Sequence, residues 1–276
     1  MIKRRPLASF YLLAFTISWL GWIPQTLQAR GLISLDLAVL TWLGGAGPTL
    51  AAVIVMWSLA GRHGPARLFK PLFDWKRRWY WYLIVFIFWP LAGILSWMLI
   101  NVLGGSPGLA NTANLSLLLP VFFGMLLSNV WEEIGWRGFA LPHFQRRFGD
   151  VTIALIMGSL WSFWHLPLLL DPSSPMSQFP WLLEILFSIA QTVIYIWLYN
   201  QTRGSLVFVS LFHAMANTVA FALLDLGLLI STYPYVVAVT SIAAAALILR
   251  YGARRLGDQA GMAGSMADQP AWIDAR

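Results

Sequence analysis

The stretch WEEIGWRGF, residues 131–139, places two adjacent carboxylates and an arginine inside a long apolar segment. Charged side chains are costly in the hydrocarbon of a membrane, so those found there usually face a cavity, pair with one another and serve a function. Glu133 and Arg137 are four residues apart with the acid first, which is the favourable order for an ion pair on one helical face. Glu132 lies about 100° round the helix and is left unpaired. The stretch therefore indicates a membrane helix that carries a functional group.

The composition of the whole chain agrees with a membrane location. Of the 276 residues, 59% are hydrophobic and only 11% are charged, which is too apolar for an ordinary soluble domain. A helix needs roughly 20 apolar residues to cross a bilayer. The sequence therefore predicts an all-α, multi-pass transmembrane bundle of about eight spans, at residues 7–26, 38–60, 79–103, 115–141, 151–170, 181–199, 205–224 and 232–249.

The position of the basic residues predicts the orientation of these spans. A net charge of +7 could indicate nucleic acid binding, but the loop Lys and Arg concentrate at alternate connections, and the other connections hold only Arg30. The positive-inside rule explains this pattern. We therefore expect no nucleic-acid partner, and we expect a cell-membrane protein with both termini in the cytoplasm. The rule does not say from which side a substrate enters.

The spans with Glu132, Glu133, Arg137 and two histidines lie in the middle of the chain, and we divide the chain into four regions. We predict amino-terminal transmembrane helices over 1–110, a catalytic transmembrane core over 111–224 and a carboxyl-terminal helix over 225–251. The tail, 252–276, has no apolar period and is expected to be a disordered cytoplasmic segment. The absence of cysteine excludes disulfides, a thiol nucleophile and thiolate metal sites.

Two later spans carry further polar side chains that suit hydrolysis. SLWSFWHLP (159–167) contains His165, and SLFHAMANT (210–218) places His213 and Asn217 on one helical face. Glu132 is the candidate general base, His165 can share its proton, and the other two can donate hydrogen bonds to an oxyanion. The alternative for the opening stretch is that its charges lie at the cytoplasmic interface. Because polar groups come from three separate spans, we favour a shared catalytic site over this interfacial alternative.

These residues form the motifs EExxxR, aromatic-xxx-His and HxxxN in successive spans, and in this they resemble the CAAX protease and bacteriocin-processing (CPBP) family of intramembrane proteases. The resemblance covers residues 115–220 and implies that Glu132 activates water with His165 as its partner. It also implies that Glu133 and Arg137 support the base and that His213 and Asn217 bind the oxyanion. Trp161 stands where the family motif usually has Phe. We expect Trp161 and Trp164 to line the substrate pocket.

The predicted function is that of an intramembrane endopeptidase acting on a membrane-associated peptide or protein, of CAAX, lipidated or hydrophobic type. Prenylation of the substrate is left open. The lipid bilayer is the other expected partner. The alternative is a non-catalytic membrane scaffold or a bacteriocin-immunity-type peptide-binding protein of the same fold. A small-solute transporter is disfavoured because repeated halves are not found.

The cofactor is also left open, between none and a divalent metal such as zinc. Glu132, His165 and His213 would be the ligands if a metal is bound. The HExxH motif does not occur, and we favour a metal-independent mechanism. Glu184 and Asp225 are interpreted as interfacial charges near the outer ends of spans, and His63 and His143 as solvated or structural residues.

Overall fold

The computed structural model describes residues 2–34, 38–105 and 114–257, and within these ranges the chain forms only helices, turns and loops. The all-α prediction is confirmed. The helices are α1 (Pro6–Ala29), α2 (Thr41–Ala60), α3 (His63–Phe69), α4 (Tyr80–Val102), α5 (Leu118–Gly135), α6 (Leu141–Gln145), α7 (Asp150–Trp164), α8 (Leu166–Leu170), α9 (Trp181–Gln201), α10 (Leu206–Asp225) and α11 (Leu229–Tyr251).

Each of the eight predicted spans corresponds to a helix or a pair of helices, but not all are equally suited to cross a bilayer. Among the described residues, six helices are long and apolar enough by length and composition: α1, α2, α4, α9, α10 and α11. The other two predicted spans are centred on α5 and α7. α5 carries Glu132 and Glu133 near its end, and α7 has only 15 residues. The two less typical spans are thus among those that carry the predicted catalytic groups.

The chain passes from α5 to α6 through a π-helical segment, Trp136–Ala140. The N–H of Leu141 bonds to the carbonyl of Trp136, five residues earlier. Such wide turns are rare and often occur at functional sites. Here the segment holds Arg137 directly after the two glutamates.

The helices that carry the predicted site pack closely on one another. α5 lies against α2 and α10, and α7 lies against α9. A Cβ atom on Gly135 would lie 2.5 Å from the backbone carbonyl carbon of Pro48 in α2. A Cβ atom on Gly158 would lie 2.6 Å from the Cα of Ile189 in α9. Glycine at these two positions therefore permits the close approach of α5 to α2 and of α7 to α9.

The two ends of the bundle differ in charge. At one end the loops rich in Lys and Arg touch each other, since the Nε of Arg77 donates to the carbonyl of Thr202 at 2.8 Å. At the other end, Arg30 donates through Nε and Nη2 to the carbonyl of Leu170 at 2.9 and 2.7 Å. These are called below the basic end and the Arg30 end.

Residues 252–257, which the sequence analysis assigned to the disordered tail, dock against the start of α7. The Asp150 carboxylate accepts hydrogen bonds from the N–H of Leu256 and the side chain of Asn200, both at 2.8 Å. The N–H of Asp150 bonds to the carbonyl of Arg254 at 3.1 Å. The buried carboxylate needs these donors, and they hold the segment in place. The rest of the predicted tail, 258–276, lies outside the described residues.

Candidate active site

The four predicted catalytic side chains line one cavity of about 1000 Å³ between the helices. Glu132 comes from α5, His165 from the end of α7, and His213 and Asn217 from α10. Trp161, one turn before His165, lines the same cavity. The structure therefore brings together side chains that are up to 85 residues apart in the sequence.

Glu133 lies behind the cavity and joins two of the site residues. Its Oε1 accepts a hydrogen bond from Nη1 of Arg137 at 2.9 Å and contacts Nδ1 of His213 at 2.9 Å. Glu133 and Arg137 are only 0% and 1% exposed. A carboxylate paired with arginine only accepts hydrogen bonds, so the hydrogen-bond network assigns a proton to Nδ1 of His213. The ion pair was predicted from spacing, whereas its contact with His213 was not.

Trp161 contacts Glu132 and packs against other site residues. Its Nε1–H donates to Oε2 of Glu132 at 3.3 Å, and its ring lies edge-to-face with that of His213 at 5.4 Å. The guanidinium of Arg137 lies 4.7 Å from the Trp161 ring centroid and 3.9 Å from that of Tyr195. These are cation–π distances. The two rings therefore surround the buried cation, and Trp161 also bonds to the candidate base.

His165 lies at the break between α7 and α8, with φ −76° and ψ 0°. Pro167 has no N–H to continue the helical bonding through this break. The imidazole is held by aromatic rings: Trp22 stacks on it at 6.2 Å and Trp164 meets it edge-on at 4.8 Å. Trp164 is 0% exposed and packs behind His165, and it does not line the cavity. It therefore supports the histidine ring, and its predicted contact with substrate stays a prediction.

Asn129 is a site residue that the sequence analysis missed. It is buried, lines the cavity and accepts a hydrogen bond at its Oδ1 from Nδ2 of Asn217 at 3.2 Å. Asn129 precedes Glu133 by four residues, so both occupy one face of α5. The sequence contained a signal for this residue, namely an asparagine four residues before Glu133 in an otherwise apolar helix.

The candidate metal ligands do not form a shared site. In the described parts of the chain, no three His, Asp or Glu side chains are grouped so that they could hold a metal ion. Glu132, His165 and His213 line one cavity but do not converge on one ion. We therefore derive no catalytic step through a metal.

The remaining polar residues divide into two groups. His63 is exposed, and Nδ1 of the partly buried His143 donates to the carbonyl of Phe139 at 2.7 Å, as expected for solvated or structural residues. Glu184 differs from its interpretation as an interfacial charge. It is 4% exposed and lines the same cavity as Glu132. Its position near the end of the span agrees with the sequence analysis. The sequence analysis did not predict that it faces the cavity.

Comparison with known proteins finds similarity in the segment that carries these features. The family model of Rce1-like type II CAAX prenyl endopeptidases matches residues 114–219, a segment that contains the three motifs. The chain is also similar to CAAX prenyl protease 2 of Methanococcus maripaludis, with 30% identity over 147 residues. The aligned region covers 49% of this chain and 53% of that relative, so the chain spans about half the length of the curated relative it matches. Together with the apolar helices, the match at residues 114–219 shows that this part of a membrane protein is similar to the Rce1-like CAAX prenyl endopeptidases, the similarity that its motifs predicted.

Proposed function

We propose that the chain is an intramembrane endopeptidase that hydrolyses a peptide bond of a membrane-associated, CAAX-type substrate with water activated by Glu132. The main support is that Glu132, His165, His213 and Asn217 line one cavity although they come from three helices. Buried polar groups are costly unless they bond to one another or to a ligand. A non-catalytic scaffold gains little from collecting them in a cavity.

The partners of the two glutamates support Glu132 as the base. Oε1 of Glu133 already binds Arg137 and His213, and a carboxylate neutralised in this way is a poor base. Among the described residues Glu132 receives one long hydrogen bond, from Trp161, and it lines the cavity. In the proposed reaction Glu132 takes a proton from water while the water oxygen bonds to the carbonyl carbon. The proton then passes to the amide nitrogen as the C–N bond breaks, which releases an acid and an amine.

Asn217 and His213 are the proposed donors to the oxyanion. The Asn217 amide has two N–H groups and uses one on Asn129, so the other can bind the substrate oxygen in any protonation state of the site. His213 directs Nδ1 to Glu133, which leaves Nε2 for the cavity. Nε2 donates only when the ring carries both protons, whereas in the neutral ring it accepts. His165, on the other side of Trp161, is the proposed partner of the base.

The test is cleavage of a quenched fluorescent prenylated CAAX peptide by the purified protein in detergent. Glu132→Gln keeps the size of the side chain but cannot accept the proton, so we expect it to fold and to lower kcat at least about a hundredfold. Thermal unfolding of the wild type and the variant checks the fold. Parallel reactions with a chelator measure metal dependence, which we expect to be absent. Unchanged cleavage by the variant would rule out Glu132 as the base.

A further inference from the structure

A second polar cluster lies in the same cavity, toward the Arg30 end. Its members are Glu184 and Ser188 of α9 and Tyr233 of α11, and all three line the cavity. Ser188 donates from Oγ to Oε1 of Glu184 at 3.1 Å, and the Tyr233 hydroxyl donates to Oε2. We call these three residues the Glu184 cluster.

The Glu184 cluster has donors but no cation. In the described part of the chain no basic side chain forms an ion pair with Glu184. Arg30, the basic residue at this end, is bonded to the carbonyl of Leu170 instead. Each carboxylate oxygen can accept a further hydrogen bond. A buried carboxylate in a membrane protein is expected to have a cationic or protonated partner, and the cavity is where a ligand could supply one.

Two aromatic rings pack on Tyr233, the tyrosine that donates to this carboxylate. Phe179 stacks on Tyr233 with centroids 4.0 Å apart, and Phe187 meets Tyr233 edge-on at 5.9 Å. Both phenylalanines line the cavity beside Glu184. Aromatic faces and edges next to one carboxylate form a typical environment for an ammonium or guanidinium group, because the ring quadrupole attracts cations.

A polar stripe on α9 connects the Glu184 cluster to the candidate active site. Glu184, Ser188, Gln191 and Tyr195 are spaced by four, three and four residues, which places them on one helical face. Tyr195 lies under the guanidinium of Arg137. The rise from Glu184 to Tyr195 along α9 is about 16 Å. An extended peptide covers that distance in about five residues.

We propose that the Glu184 cluster is a substrate subsite for a cationic group, an ammonium or a guanidinium, on a residue about three to five positions from the cleaved bond. The position relative to the cleaved bond rests on the proposed function. The binding of a cation by the Glu184 cluster does not depend on the proposed function. The polar stripe on α9 then contacts the peptide between the two positions.

A binding experiment tests the subsite without requiring activity. Thermal unfolding of the protein in a neutral detergent is followed during titration with octylammonium and, separately, with 1-octanol. We expect the wild type to bind octylammonium at least about tenfold more tightly than Glu184→Gln does, as for loss of a charge-assisted hydrogen bond. Tyr233→Phe keeps the carboxylate and should keep the preference for octylammonium. Octanol should affect all three proteins equally.

Two outcomes would overturn the subsite. One is equal binding of octylammonium by the wild type and Glu184→Gln. The other, which needs no variant to fold, is wild-type protein that binds octylammonium no better than octanol.

A cleavage experiment then locates the subsite relative to the active site. Peptide pairs carry lysine or norleucine at each position up to five residues from the cleaved bond. At one position we expect the wild type to prefer lysine over norleucine about tenfold in kcat/KM and Glu184→Gln to lose that preference. Cleavage with no lysine preference at any position would overturn the placement of the subsite along the substrate peptide. Octylammonium binding without cleavage of any peptide would count against the proposed function alone.

Discussion

The indole of Trp161 links side chains from three parts of the chain. It donates a hydrogen bond to Glu132, lies edge-to-face with His213 and forms one face of the Arg137 site. The phenylalanine usual in the family motif would keep the aromatic faces but could not donate a hydrogen bond. At this position the chain therefore adds a polar contact to the candidate base.

We expect Trp161→Phe to fold and to lower kcat about fivefold with little change in KM. A hydrogen bond contributes about 1 kcal/mol, and this long one to the Glu132 carboxylate is expected to act by orienting the base. The measurement is steady-state kinetics on the fluorescent peptide. Trp97→Phe, on an exposed face of α4, is the matched control and should be unchanged. A kcat for Trp161→Phe equal to that of the wild type would show that the bond does not position Glu132.

Glu133 balances a buried charge as well as holding His213. In Glu133→Gln the Arg137 cation would stay buried without its partner, which typically costs about 3–5 kcal/mol. We therefore expect a marked fall in the unfolding temperature together with loss of cleavage. The double variant Glu133→Gln, Arg137→Met removes both charges and should recover much of the stability but not the activity. A Glu133→Gln protein with normal stability and cleavage would contradict the ion-pair assignment.

At the scale of the helix, some features were predictable and others were not, for physical reasons. The pair Glu133 and Arg137 lies within one helix, and the 3.6-residue period alone predicts its contact. The bond from Trp161 to Glu132 joins two helices and depends on how closely they pack. The wide turn at Trp136–Ala140 has no simple sequence signal, because only one extra residue in the turn distinguishes it from an α-helix.

Gly135 provides a test of the packing that positions the glutamates. A methyl group on Gly135 would collide with the backbone of Pro48, so Gly135→Ala should force α5 away from α2. We expect a loss of about 1–3 kcal/mol of stability, as for other overpacked sites, and reduced cleavage because Glu132 would move. Gly124 lies on the same helix with nothing within 4 Å of an added Cβ. Gly124→Ala is therefore the control, and it should be neutral or slightly stabilising.

The result for Gly135→Ala is read from thermal unfolding and peptide cleavage in the same preparation. Equal behaviour of the two alanine variants would mean that the contact between Gly135 and Pro48 does not determine the position of Glu132.

At the scale of the whole molecule, hydropathy predicted the segments well because bilayer thickness sets the length of an apolar helix. It did not predict which polar residues share a cavity. Glu184 and Asp225 both lie near helix ends, yet Glu184 lines the cavity with Glu132, while Asp225 accepts a hydrogen bond from the N–H of Asn114. Depth follows from the position of a residue along its span. The facing direction depends on the rotation and packing of the helix, which a single sequence does not specify.

The lining of the cavity is partly exposed at the Arg30 end of the bundle and again at Trp131, beside Glu132 on α5. Trp42 and Pro175, both exposed, line it at the Arg30 end, whereas Arg137 and Tyr195, toward the basic end, are buried and do not line it. The sequence does not indicate from which side a substrate enters. The structure shows how the exposed part of the cavity is placed relative to the basic end. If the basic end is cytoplasmic, as the positive-inside rule predicts, the exposed lining at Trp42 and Pro175 lies on the other face of the membrane.

The cysteine-free sequence makes this orientation directly testable, because a single introduced thiol is the only site of labelling. Gln178→Cys places an exposed thiol at the Arg30 end, near the exposed lining at Pro175, and His63→Cys places one in the basic loop after α2. In intact cells we expect a membrane-impermeant maleimide to label Gln178→Cys and to label His63→Cys only after permeabilisation. The reverse pattern would contradict the predicted orientation and place the exposed lining at Trp42 and Pro175 on the cytoplasmic face. Either result decides on which face of the membrane this exposed lining lies, since it and Gln178 are at the same end of the bundle.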